Sequence, residues 1–221
     1  MNLTDTIKRR SALLFLAASV VPLLSGCFGA VAVGAGAGVL MAADRRPSEI
    51  YLSDEATEIR ATNRIGEKFG DKVHINVTSY NRTVLITGEV PSEEVKGDVE
   101  RTIAGLPNVK ATVNELQIAG ASSFSARGND SYITSKVKAR FIDHNKFPPT
   151  VVKVVTESGA VYLLGLVTQA EADAAVEIAR TTGGVMKVVR VMEIISADEA
   201  RRLDSLTKSA PAKSGQAQPA K

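Results

Sequence analysis

Apolar and polar positions along this chain fall into the same pattern twice. In the second half, Ile133, Val137 and Phe141 recur every four residues, which sets them on one stripe of a helix. Asp130 or Ser131 can cap that helix, and Pro148-Pro149 forbids its continuation. Val151 to Thr156 and Val161 to Val167 are β-branched runs around Glu157-Ser158-Gly159-Ala160, where a glycine in the turn predicts a hairpin. Thr168-Gln169-Ala170-Glu171 then spells a capping box ahead of an alanine-rich helix that stops at Gly183-Gly184. Lys187 to Ile195 supplies a last strand. The first half predicts the same series: a helix, strands over Val73 to Thr78 and Val84 to Val90, a helix after Pro91-Ser92 that runs to Ala104, and a strand over Ala111 to Ile118.

The repetition reaches individual residues. Val84 to Val90 matches Val161 to Val167, with Gly88 and Gly165 at 77 residues' spacing. Upstream, Asp54, Arg60, Arg64 and Ile65 correspond to Asp130, Lys136, Arg140 and Phe141; downstream, Glu94, Val99 and Glu100 correspond to Glu171, Val176 and Glu177. Two copies of one unit account for this. The predicted class is α+β: two tandem units over residues 54–119 and 129–197, each a three-stranded mixed sheet packed with two helices in the order α-β-β-α-β. Because each copy has a complete set of elements, a fragment of about residues 129–200 is expected to fold alone, though marginally.

Ahead of the repeats, Lys8, Arg9 and Arg10 precede a short apolar run from Leu13 to Leu24 that closes on Leu24-Ser25-Gly26-Cys27. A basic stretch, a short apolar core and small residues before a cut describe an export signal over residues 1–26, and the run is too short to span a hydrocarbon core of ~30 Å. Its end resembles a lipobox. That resemblance implies lipidation of Cys27, the only cysteine, and, since Phe28 rather than an aspartate follows, sorting to the periplasmic face of the outer membrane. Residues 27–53, with small residues from Gly29 to Gly38, are expected as a lipidated tether, 120–128 as a linker and 198–221 as a disordered tail.

Removing residues 1–26 takes three cations and one acid from the chain's 27 and 24, leaving 24 against 23. The pI of about 9.0 is therefore partly a property of the signal. Near-balanced charge lacks the basic field that dominates phosphate-backbone binding, so nucleic acid is not an expected partner.

The G-x-V after the second strand of each copy, followed by a short loop and a helix carrying Glu94 or Glu171, resembles the BON domain. The stretches that carry it best are Asn129 to Val137, Thr156-Glu157-Ser158-Gly159 and Gly165-Leu166-Val167-Thr168. Two such units behind a lipobox are similar to the dual-BON outer-membrane lipoproteins over about residues 43–196. The resemblance implies no catalysis, binding of anionic phospholipid and a role in envelope integrity.

The residues themselves offer little for catalysis. His74 and His144 have no acid or nucleophile at a fixed local spacing, and the chain lacks H-E-x-x-H, G-x-S-x-G, C-x-x-C and a phosphate loop. No cofactor or metal is expected beyond the covalent lipid on Cys27. Glu94 and Glu171 lie in first helical turns, where capping is their expected work; Gly88 and Gly165 are expected at tight packing or strand-end positions.

Lipid contact has a physical case on the first helix of the second copy. At 100° per residue, Tyr132, Lys136, Ala139 and Arg140 cluster within about a quarter of the circumference, beside the stripe that begins at Ile133. Tyrosine suits a membrane–water interface, and lysine and arginine can reach phosphates. Tyr132, Ile133, Lys136, Ala139 and Arg140 are the expected phospholipid-binding residues. The matching positions of the first copy are Ala56, Arg60, Asn63 and Arg64, without the aromatic and beside Glu55 and Glu58, so that copy is expected to bind lipid less well. The alternative is an adaptor or chaperone-like lipoprotein that engages envelope assembly or peptidoglycan-remodelling machinery. The chain names neither an envelope protein partner nor an oligomeric state.

Overall fold

A computed structural model describes residues 44–70 and 73–209. Cys27 and the export signal lie outside the described residues, as does the tail from residue 210. The order is α1 (Ser48–Phe69), β1 (His74–Tyr80), β2 (Thr83–Val90), α2 (Glu93–Ala104), β3 (Ala111–Asn114) and β4 (Gln117–Ile118) in the first copy. The second has α3 (Phe124–His144), a 3-10 turn (Pro149–Val151), β5 (Lys153–Glu157), β6 (Ala160–Leu164), β7 (Leu166–Val167), α4 (Gln169–Arg180), β8 (Lys187–Arg190) and β9 (Glu193–Ile194). A last helix, α5 (Ala197–Ser209), follows.

In each copy the hairpin is antiparallel and the strand after the second helix joins it in parallel, giving a mixed sheet. The expected third strand is broken in both: β3 and β4 both pair with β2, while β7 and β9 form a separate parallel pair. Side chains that alternate along the strands serve two cores. Val84 and Ile86 of β2 pack on Ala61, Ile65, Val99 and Ile103 of α1 and α2. Val161 and Leu163 of β6 pack on Ile133, Val137, Phe141, Ala172 and Ala175 of α3 and α4.

The opposite faces of the two sheets pack on each other. Tyr80 and Leu85 meet Ala160, Tyr162, Leu164 and Leu166, with Leu203 of α5 closing the cluster. The layers run helices, sheet, sheet, helices. This departs from the expectation that a copy folds alone, because the alternation that marks one buried face cannot show that the other is buried too. Along β1 and β2 the seam turns polar. His74, Asn76, Thr87 and Glu89 form cross-strand pairs there, and Glu157 of the second copy accepts from Asn76 at 2.7 Å and Thr87 at 3.3 Å. Burial holds the Glu157 carboxyl above its usual range.

Two helices begin earlier than expected, and at corresponding places: Ser48 and Phe124 each stand six residues ahead of Asp54 and Asp130. Residues 48–53 therefore belong to α1 rather than to a tether, residues 124–128 to α3 rather than to a linker, and residues 198–209 to α5 rather than to a disordered tail. Neither Asp130 nor Ser131 is a cap. Ser123 caps α3 by accepting from Ala126 N, while the buried Asp130 carboxylate accepts from Ser158 N and Gly159 N at 2.9 and 2.8 Å. Asp54 does the same for Asn81 N and Arg82 N at 2.7 and 2.9 Å. Each copy thus uses one helix aspartate to hold a hairpin turn whose two central residues both have positive φ, the type I′ pattern.

Ahead of α1, Arg45 and Arg46 tie the chain to both copies. Arg45 makes a two-pronged contact with Glu171 at 2.8 and 2.9 Å and reaches Asp204 of α5 at 2.7 Å. Arg46 bonds Asp44 and Asp54 and stacks over Tyr80, 4.0 Å from its ring centre.

Candidate functional site

The candidate site is the solvent face of α3. Its 21 residues span about 31 Å at 1.5 Å rise per residue. One stripe, Ile133, Val137 and Phe141, is in the core, where the Phe141 ring meets Phe147 edge-on at 5.0 Å. The other side exposes three large apolar residues: Phe124 at 86%, Tyr132 at 62% and Ile142 at 63%. A helix apolar on two sides has one side to spare for something other than its own core.

The predicted residues divide. Tyr132 and Ala139 lie on this exposed face. The Lys136 ammonium stands over the Tyr132 ring, 4.7 Å from its centre, and donates to the Gly183 carbonyl, so it joins the face to the loop after α4. Ile133 does not belong to the site: it is 1% exposed and packs inward. Arg140 is already engaged. Its guanidinium donates to Ile178 O at 3.0 Å, Thr181 Oγ1 at 3.1 Å and Thr182 Oγ1 at 2.9 Å, closing the carboxyl end of α4, where helix carbonyls lack partners of their own. Arg140 lies off the core stripe at the angle the helix period gives, and the end of α4 docks against it there.

Three exposed residues escaped the sequence reading. Phe124 falls within the expected linker, residues 120–128, and Ile142 lies one position past the core stripe. Met186, 83% exposed, follows Gly183-Gly184 in the loop that meets Lys136. The detectable signal for Phe124 was Ser123 as a cap in register with the start of α1. Beyond Ile142, a groove of about 450 Å³ lies between α3 and α1, lined by Lys138 and Ile142 on one side and Tyr51 and Glu55 on the other.

The first copy supplies a contrast. Arg60, Asn63 and Arg64 are exposed on α1 and Ala56 is half-buried, but Glu58 is drawn away to accept from Ser79 N at 2.8 Å and Lys153 Nζ at 3.0 Å. Burial, then the charge of Glu58, holds the Glu55 carboxyl above its usual range. Leu52 and Ile59 are exposed on the same helix, so α1 lacks an aromatic at the matching position but not apolar surface.

Among the expected cappers, Thr168 and Glu171 form both halves of the capping box of α4. Glu171 would be pushed up by burial, but bonds from Arg45 and the Thr168 backbone outweigh that and hold its carboxyl below the usual range. The Ser92 side chain caps α2. His144 lies 3.4 Å from the Arg140 guanidinium, and His74 Nδ1 lies 2.9 Å from Glu89. Among the described residues no helix is long and apolar enough to cross a membrane.

A family model described as BON domain matches residues 57–120 and 129–196. Outer membrane lipoprotein DolP of Haemophilus influenzae is 34% identical over 174 residues, covering 78% of this chain and 90% of its own length. A 21 kDa hemolysin of Actinobacillus pleuropneumoniae is 31% identical over 69% of this chain and 79% of its own. Osmotically-inducible protein Y of Escherichia coli is 31% identical over 52% and 58% respectively. A solved chain of CdsD, a structural protein of the type III secretion system of Chlamydia trachomatis, aligns at 13% identity over 69% of this chain and 98% of its own. Its TM-score is 0.26, too loose a superposition to bear on fold or function.

Proposed function

The chain belongs to the BON-domain family, as a two-domain protein of the outer-membrane lipoprotein DolP type, and on that premise we propose that it binds anionic phospholipid through the solvent face of α3. Acyl chains on Cys27 hold it on the periplasmic face of the outer membrane; the helix decides which lipid it prefers and which way it faces. The observation that carries this reading is the row of Phe124, Tyr132 and Ile142 on the side of α3 away from its core stripe, with Lys136 against the Tyr132 ring. Phe124 and Ile142 enter the bilayer boundary, Tyr132 keeps its hydroxyl wet, and Lys136 faces phosphate. A cation near an anionic surface contributes about 1 kcal/mol, so affinity comes mainly from the apolar residues and residence from the anchor. Support of envelope integrity follows from that placement. The family and the names of the relatives point to a protein without enzymatic activity.

The test uses the compact unit Leu40–Lys213 and liposomes of neutral or anionic composition. Flotation is expected only with anionic vesicles; Phe124→Ala, Tyr132→Ala and Ile142→Ala each weaken it severalfold, while Arg140→Gln lowers stability more than binding. If Tyr132→Ala and Phe124→Ala both float like the parent, the lipid reading fails. A second reading, an adaptor for an envelope protein, is favoured by Leu52 and Ile59, exposed on α1 at a spacing of seven; flotation with no liposome would move it ahead.

A further inference from the structure

The polar half of the seam joins side chains that no local motif unites. His74 opens β1, Glu89 stands opposite it in the β1–β2 ladder, and Glu157 ends β5 in the other copy. One ligating atom from each lies within 4.8 Å of the others. Both carboxylates are nearly inaccessible, at 4% and 3%, whereas the His74 side chain, at 17%, leaves a way in from solvent.

Neighbouring groups hold the carboxylates in place without balancing their charge. Glu89 accepts from Ser122 N at 3.1 Å and Ser158 Oγ at 3.3 Å, and Glu157 accepts from Asn76 and Thr87. Among the described residues no lysine or arginine bonds to either one, and His74 can supply at most a single positive charge. Two carboxylates taken out of water need compensation in full, or the cost of burying them stands. One imidazole nitrogen and two carboxylate oxygens form a donor set suited to a divalent ion such as zinc or manganese, with an open position for water or a nearby hydroxyl.

We propose that the seam is a divalent-cation site, with His74 and Glu89 of the first copy and Glu157 of the second as its protein ligands. The ion ties the two copies together, because no single copy offers the full set. Binding is therefore coupled to their docking and stabilises the docked form. This is independent of the lipid reading.

The test takes the full chain, purified in detergent and stripped of metal by chelator and dialysis, and titrates it by calorimetry with zinc chloride and with manganese chloride. One ion per chain is expected for at least one metal, and metal at about 100-fold over Kd raises the unfolding midpoint by about 5–10 °C. Glu157→Gln keeps the side-chain shape and should weaken binding at least tenfold, yet leave the metal-free midpoint equal or higher because an uncompensated buried charge is gone. His144→Ala, at the end of α3 where the ring meets Arg140 rather than the seam set, should bind as the parent does. Should Glu157→Gln fail to fold, His74→Gln carries the same comparison. Absence of heat and of any midpoint shift with both metals overturns the proposal, as does a seam variant that binds as tightly as the parent.

Discussion

Separating the two copies should cost the second one its fold. Tyr162, Leu164 and Leu166 are at most 6% exposed, and all three belong to the cluster that joins the sheets. Burying a large apolar side chain contributes about 1.5–3 kcal/mol, so exposing these three forfeits about 5–9 kcal/mol. A unit of under 100 residues has about 4–13 kcal/mol in all, at ~0.05–0.15 kcal/mol per residue. The loss consumes most of that. A fragment of residues 122–209 should show helical circular dichroism but no cooperative urea transition, whereas the unit from Leu40 to Lys213 unfolds in one step that carries both copies. In the intact chain Leu164→Ala should cost about 2–5 kcal/mol and lower hydrogen-exchange protection in both sheets. A fragment that unfolds cooperatively, with a midpoint within a few degrees of the intact unit, would refute the shared core.

Two further outcomes follow from single residues. Gly88 has φ +118 within β2, and a Cβ there would stand 2.0 Å from the His74 carbonyl oxygen; Gly88→Ala should destabilise by about 2–4 kcal/mol in urea unfolding, through strain at a special φ and a backbone clash. The folded Glu171 carboxyl titrates below its ordinary value, so it binds fewer protons folded than unfolded; its stabilisation is present above that ordinary value, about pH 4.3, and drains away as pH falls through the lower folded one. Arg45→Met removes the first of the bonds that lower it, so the variant should be less stable at pH 7 yet lose less on going from pH 5 to pH 3, as read by urea midpoints across that range.

Much of this protein was legible in order along the chain. The stripe of Ile133, Val137 and Phe141, the Thr168–Glu171 capping box and the Glu157 to Ala160 turn all express local rules: a 3.6-residue period, a side chain three positions from a free N–H, a glycine where φ is positive. The repeat followed because two segments obeying the same rules at the same intervals fold alike. The starts of α1 and α3 were less legible, since Phe124 and the residues around it carry no core stripe of their own.

Tertiary structure decided what each side chain is spent on. Asp54 and Asp130 sit on helices, yet their carboxylates serve turns 27 and 29 residues further on. Arg140 points off the core stripe as counted, and α4 takes it. Thr87 and Glu89 lie on the face of β2 away from its own helices, and the second sheet buries them. Periodicity along one segment reports which residues share a face; only the packing of distant segments determines what covers that face, because hydrogen bonds, charge compensation and burial are settled between elements far apart in sequence. The export signal and Cys27 belong wholly to the first kind of information, and the His74–Glu89–Glu157 seam wholly to the second.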